Sequence, residues 1–183
     1  MSMTTLTVSD NAIHTFSIVT KDLPGVLVRI ALVFARRGYN IESLAVSPGA
    51  RQGFSRMTIT SRGSTQNVEQ IQKQLAKLID VVYVTDHTDH APVEAEIALV
   101  KIRSTSDQRA EFMRIVENFE TQVVNEDSDT VILRLTGNSN ELDECISALG
   151  PYGIEELTRS GKIVMDPGPS QVSSLLSAGT VLS

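Results

Sequence analysis

Two successive βαββαβ units, an α+β fold, are what this sequence predicts. Three observations lead there. Short runs with apolar residues at every second position alternate with longer runs whose apolar residues recur every three to four positions. Each helical run is apolar on one face only, which suits helices layered on one side of a sheet. The whole order then comes a second time, offset by about 80 residues with little shared wording, as internal repeats do.

The first unit is read over residues 13–90, after a polar, Thr- and Ser-rich stretch at 1–12 expected to be a flexible tail. His14–Thr20 is a strand with Phe16 and Ile18 inward, and His14 itself has a structural or exposed role. A helix follows from about Pro24 to Arg37, with Leu27, Ile30, Ala31 and Phe34 at i, i+3, i+4 and i+7. Asp22 is placed to cap its first turn, Pro24 suits a position that needs no N–H, and Gly38 ends it. Asn40–Ser47 is a strand carrying Ile41, Leu44 and Val46, and Pro48–Gly53 is a turn. Phe54–Thr60 alternates Met57 and Ile59 with Arg56, Thr58 and Thr60, the pattern of a half-wet strand. A helix capped by Ser64 or Thr65 has Val68, Ile71, Leu75, Leu78 and Ile79 inward, and Val81–Asp86 closes the unit.

His87–Pro92 reads as a linker, and the second unit occupies residues 91–166. Ile97–Arg103 is its first strand and Asp107–Glu120 a helix with Phe112, Ile115, Val116 and Phe119 on one face. Val123–Glu126 and Val131–Thr136 form a hairpin, Asn140–Leu149 a helix, and Ile154–Thr158 and Lys162–Met165 closing strands. Residues 167–183, with Pro167, Gly168, Pro169 and several serines, are expected to be a disordered tail. Strand, helix, strand, strand, helix, strand, with both helices on one side, is the ferredoxin-like arrangement.

Composition narrows the function classes. The net charge is −6 and there is no Trp, which disfavours phosphate-neutralising and base-stacking surfaces for nucleic acid. The charge is uneven. Residues 13–90 carry nine Lys/Arg against six Asp/Glu, and residues 91–183 seven against fifteen. No run approaches the roughly 18 apolar residues of a membrane span, and no secretion-signal pattern opens the chain, so a cytoplasmic location is the default. The one cysteine, Cys145, lies in helical phase with Leu142, Ile146 and Leu149, as a small buried hydrophobe would. Asp86, His87, Asp89 and His90 form the one metal-like cluster, but they sit in the linker, where a solvated loop is the simpler reading. A small metal enzyme using His87 and His90 is the reading they would favour otherwise. No phosphate loop, nucleophile elbow or zinc-protease motif occurs, and no catalytic constellation is expected.

The turn at Asp22–Gly25 is the exception to this plainness. Gly25 lets a ligand approach the backbone, and the amides around it open a helix, which favours a carboxylate. Such a turn can hold a free amino acid by its backbone end.

Asp22-Leu-Pro-Gly-Val-Leu, then Arg36-Arg-Gly-Tyr-Asn-Ile-Glu-Ser-Leu, then Ser55-Arg-Met-Thr-Ile closely resembles the small, regulatory subunit family of acetolactate synthase. The stretches Glu69–Val82 and Glu94–Ile102 are similar to later parts of the same family, so the likeness spans about residues 13–166. The resemblance implies an amino-acid-sensing ACT domain followed by an ACT-like one. It implies that two chains pair through their first domains in a continuous sheet, with a branched-chain amino acid, typically valine, at the junction. It implies activation and feedback inhibition of a thiamine-diphosphate-dependent catalytic subunit, with no thiamine diphosphate, flavin or magnesium site in this chain. By position, the amides of Leu23, Gly25 and Val26 meet the effector carboxylate and Asp22 faces its ammonium. Asn40 contacts the effector from the partner chain, and Pro24, Leu27 and Ile41 are counted with the effector site. The family more often has Asn where this chain has Asp22, and a basic residue and Gly where this chain has Asp166-Pro-Gly-Pro. The matching turn of the second unit, Ser104–Arg109, has neither Pro nor Gly and is expected to hold no effector. A free-standing ACT-type sensor with another partner is the alternative.

Overall fold

The computed structural model describes residues 12–88, 91–103, 106–169 and 172. Its described residues divide into two compact units, one containing those up to Pro92 and those from Asp166, the other those within Val93–Met165. Residues 1–11 and most of the expected tail after Pro169 lie outside the described residues.

In the first unit, β1 (Ala12–Lys21), β2 (Asn40–Pro48), β3 (Phe54–Gly63) and β4 (Val81–Asp86) form an antiparallel sheet in the order β2-β3-β1-β4. Two helices, α1 (Val26–Arg36) and α2 (Thr65–Leu75), pack on one face. Phe16 and Ile18 of β1 and Met57 and Ile59 of β3 meet Val26, Ile30 and Phe34 of α1 and Val68, Ile71 and Leu75 of α2. Phe16 and Phe34 stand edge to face at 5.6 Å, the geometry favoured by the ring quadrupoles. On the other face hydroxyls dominate. Ser43 bonds Thr60 at 2.6 Å, and Arg56 Nη2 donates to the Ser17 hydroxyl at 3.1 Å.

The end of α1 is fixed by glycine chemistry. Gly38 has φ 72°, its N–H donates to the Ala35 carbonyl, and the Tyr39 N–H donates to that of Phe34. This is the paired closure that left-handed glycine permits. Tyr39 then packs across Gly63, where an added Cβ would fall 1.9 Å from the ring, and its hydroxyl donates to the Ser64 carbonyl at 2.8 Å. The start of β2 is thereby pinned to the end of β3.

Several expected details differ. The core face of α1 is Val26, Ile30 and Phe34, while Leu27 is 39% exposed. Ile30 and Phe34 face inward as expected, and Val26, one turn before Ile30, takes the inward position in place of Leu27. Ile79 is 86% exposed, because α2 ends at Leu75 and the chain turns before β4. Ile41 and Leu44 both meet the core although they are three apart, since the register shifts between Ile41 and Ser43.

The second unit has β5 (Val93–Arg103), α3 (Ser106–Val116), β6 (Thr121–Glu126), β7 (Thr130–Gly137), α4 (Ser139–Leu149) and β8 (Ile154–Arg159). A single 3₁₀ turn at Gly150–Tyr152 links α4 to β8. The sheet order β6-β7-β5-β8 repeats that of the first unit, and β9 (Ile163–Met165) pairs with the start of β5. Ala98, Val100, Ile102, Leu133 and Leu135 meet Phe112, Val116, Leu142, Cys145 and Leu149. Asn138 and Glu141 form a reciprocal capping box at α4, which satisfies two otherwise orphaned amides. Cys145 is buried, as its helical phase predicts, and burial pushes its thiol above the usual range.

Candidate functional site

The turn between β1 and α1 is built by backbone contacts. Lys21 N–H donates to the Asp80 carbonyl at 2.8 Å, and Asp22 N–H to that of Gly53 at 2.9 Å. Leu23 N–H reaches back to the Lys21 carbonyl at 3.1 Å, and Val26 N–H to that of Leu23 at 3.4 Å. Gly25, at φ 82° and ψ −5°, is the residue from which the helix springs. The first ordinary helical bond is Arg29 N–H to the Gly25 carbonyl at 3.1 Å. The amides of Leu27 and Val28 thus belong to the first turn, which has no helical acceptors. Asp22 does not cap the helix. The cap position is Gly25, and no side chain bonds there. Pro24 accordingly precedes the helix by two residues.

Asp22, Leu23, Pro24 and Gly25 are all exposed and share this one turn. Val26 points into the core, 3% exposed, so only its main chain is available to a ligand. Asn40 and Ile41 stand elsewhere. Asn40 pairs with Arg62, which pairs with Ile13 at the beginning of β1. The turn leaves the opposite end of β1, beyond Lys21. Within one chain, then, the sheet separates Asn40 from the turn by most of a strand's length. Asn40 is exposed on β2, an edge of the sheet, while Ile41 is half-buried against the core.

One contact was not foreseen. Arg29 Nη2 pairs with Asp80 Oδ2 at 2.5 Å, with the carboxylate side chain 9% exposed and the arginine 45%. Arg29 Nη1 lies 3.2 Å from the place a Cβ on Gly25 would occupy. The spacing carried the signal: Arg29 is four residues after Gly25, and helical side chains lean back toward the preceding turn.

One linker histidine is more enclosed than a solvated loop implies. His87 is 3% exposed, its N–H donates to the Thr15 carbonyl at 2.8 Å, and its Nδ1 lies 3.0 Å from Asp166 Oδ1. The backbone pairing with β1 draws it inward. His14 is fully buried, its Nε2 donating to the Gly63 carbonyl at 3.1 Å and its Nδ1 3.1 Å from the Thr88 hydroxyl. Asp89 and His90 lie outside the described residues, and among those described no three His, Cys, Asp or Glu gather as metal ligands would. No described helix is long and apolar enough to cross a membrane.

Two ferredoxin-like repeats, the first opening its helix on a left-handed glycine above an exposed turn, define an ACT-type protein. Residues 16–83 match the model of the AHAS small subunit-like ACT domain, and residues 95–168 that of the small subunit of acetolactate synthase. The chain belongs to the acetolactate synthase small subunit family. It is 37% identical over 161 residues to the acetolactate synthase small subunit of Mycobacterium bovis, covering 88% of this chain and 96% of that one. It is 41% identical over 153 residues to that of Aquifex aeolicus, covering 83% and 80%. The crystal structure of the small subunit from Thermotoga maritima superposes with a TM-score of 0.77 at 33% identity, covering 87% of this chain and 99% of that one.

Proposed function

We propose that this chain is a non-catalytic regulatory subunit that binds a branched-chain amino acid, most simply valine, between two copies of its first unit. On this reading it activates the large, thiamine-diphosphate-dependent catalytic subunit of acetolactate synthase in the cytoplasm and conveys feedback inhibition to it. Thiamine diphosphate, flavin and magnesium then belong to the catalytic subunit. The Gly25 amide faces the effector carboxylate together with those of Leu23 and Val26, whose bonds within the turn, at 3.1 and 3.4 Å, are shared with the ligand or yield to it. Asp22 faces its ammonium, and Pro24 and Leu27 border the site.

The observation that carries this reading is the placement of Asn40. It lies at the far end of the sheet from the turn, on an edge strand. Pro48, at the other end of β2, pairs with Ser55, which pairs with Thr20 beside the turn. Two β2 edges joined antiparallel about a two-fold axis set Asn40 of the partner subunit beside Pro48, at the turn's end of the sheet. Asn40 and Ile41 of the partner subunit thereby complete a site that one chain leaves open. An isologous interface of this kind is the common form for a dimer. Val28, Leu32 and Ala35 of α1 are exposed in helical phase, Val28 by 62% and Leu32 by 44%. Such an apolar stripe is suited to burial against a second copy.

Calorimetric titration of the full chain with valine, leucine and isoleucine tests the proposal. Saturable binding of at least one of them is expected, together with a dimer in sedimentation. A monomer that binds none overturns the reading.

A further inference from the structure

We propose that Arg29 is the residue that recognises the effector's carboxylate by charge, and that Asp80 holds it in position to do so. The inference rests on reading the Asp22–Gly25 turn as the amino-acid site, and it adds to that site a side chain that determines specificity.

Main-chain amides alone favour an anion but carry no full charge. The turn also bears Asp22, an exposed carboxylate that opposes a second one at short range. A cation strengthens the preference of such a turn for a zwitterion over a simple amine. Arg29 is the cation the fold supplies. Its Nη2 is bonded to Asp80 and its Nη1 is 3.2 Å from the Cβ direction of Gly25. A guanidinium has five N–H donors, so one carboxylate partner leaves others for a ligand. Asp80 is itself fixed, since its carbonyl accepts from Lys21 N–H and its side chain is nearly enclosed. The arginine is therefore ordered before the ligand arrives, which lowers the entropy lost on binding. It remains 45% exposed and so accessible. Asp22 three residues before Gly25 and Arg29 four residues after it place opposite charges on the two sides of the turn. That polarity matches an ammonium and a carboxylate on one α-carbon.

The test compares valine with valinamide, which keeps the ammonium and the side chain but has no carboxylate. Both are titrated into the full chain and into R29Q. The unaltered protein is expected to prefer valine. R29Q is expected to lose about tenfold or more in valine affinity, as removal of a charge-assisted hydrogen bond does. Its affinity for valinamide should change little, so the ratio between the two ligands collapses. R29M, whose unbranched side chain fills similar space without charge, is read in the same way and stands in should R29Q fail to fold. An arginine that merely braces the turn lowers both affinities together, and an unchanged ratio in the folded variants overturns the proposal. If the unaltered protein binds no branched-chain amino acid, the amino-acid site itself falls, a result distinct from a failure of Arg29 alone.

Discussion

Arg29 and Arg109 occupy the fourth position of equivalent helices, α1 and α3, in the two repeats. Arg29 leans over a turn with a left-handed glycine and pairs with Asp80 at the entrance of β4. Arg109 pairs instead with Glu126 at the end of β6. Between β1 and α1 stand four residues, including Pro24 and Gly25, whereas β5 ends at Arg103 and α3 begins at Ser106. One topology and one helical position thus serve two ends. On the proposed reading the arginine of the first repeat belongs to a site, whereas that of the second fastens a hairpin to a helix. The difference lies in the connection, which the fold leaves free to vary.

The sharpest way to break this contrast is Gly25→Asp. It forces a side chain into the Arg29 guanidinium and puts a second negative charge at the turn. Calorimetry should detect no valine binding, and the holoenzyme should stay activated but lose valine feedback. Normal inhibition in that variant would place the effector elsewhere. Gly63→Ala comes next, because its Cβ would fall inside the Tyr39 ring. Overpacking of this kind costs about 1–3 kcal/mol. Hydrogen exchange should show the first unit losing protection while Val93–Met165 keeps its own.

A smaller effect is expected from Glu96 in the second unit. Burial raises its carboxyl pKa, but hydrogen bonds from Arg159 and Ser139 outweigh this and hold it below the usual range. A depressed folded value stabilises fully above the unfolded value, near about pH 4.3, and that contribution disappears as pH falls through the lower folded value. Glu96→Gln should therefore cost roughly 1–2 kcal/mol at neutral pH. It should also flatten the acid limb of the second unit's unfolding curve, followed by circular dichroism from pH 7 to 2. The smallest effect is that of Arg109→Gln. Valine affinity should stay within about twofold, against tenfold for R29Q. A comparable loss at both positions would erase the distinction between the repeats.

The alternation of apolar residues was enough to place the strands and helices of both repeats, because each sheet buries one face against its helices. Where local geometry departs from an ideal period, the sequence misleads. Val26 takes the core position expected of Leu27, since it lies four residues before Ile30 on the same face. Ile79 keeps the phase of α2 after α2 has ended. Ile41 and Leu44 share a face only through an irregularity between strands, which no single-strand pattern reveals. His87 lies just past β4, as a loop residue would, yet its amide pairs with Thr15 and its side chain is buried. The turn at Gly25 was legible because Pro and Gly mark it. Asp80 was not, since it is 51 residues from Arg29 and meets it only through the tertiary fold.

If the proposed turn grips its ligand in part through peptide nitrogens, an evolutionary corollary follows. Replacing the exposed side chain of Leu23 leaves its N–H in place, so a lineage can redraw the aliphatic contour that a ligand must fit without forfeiting its hold on the amino-acid head group. Gly25 resists such drift, because its positive φ and the Arg29 guanidinium 3.2 Å from its Cβ position both disfavour a side chain. Sensors for different metabolites can therefore descend from one scaffold by repainting its walls.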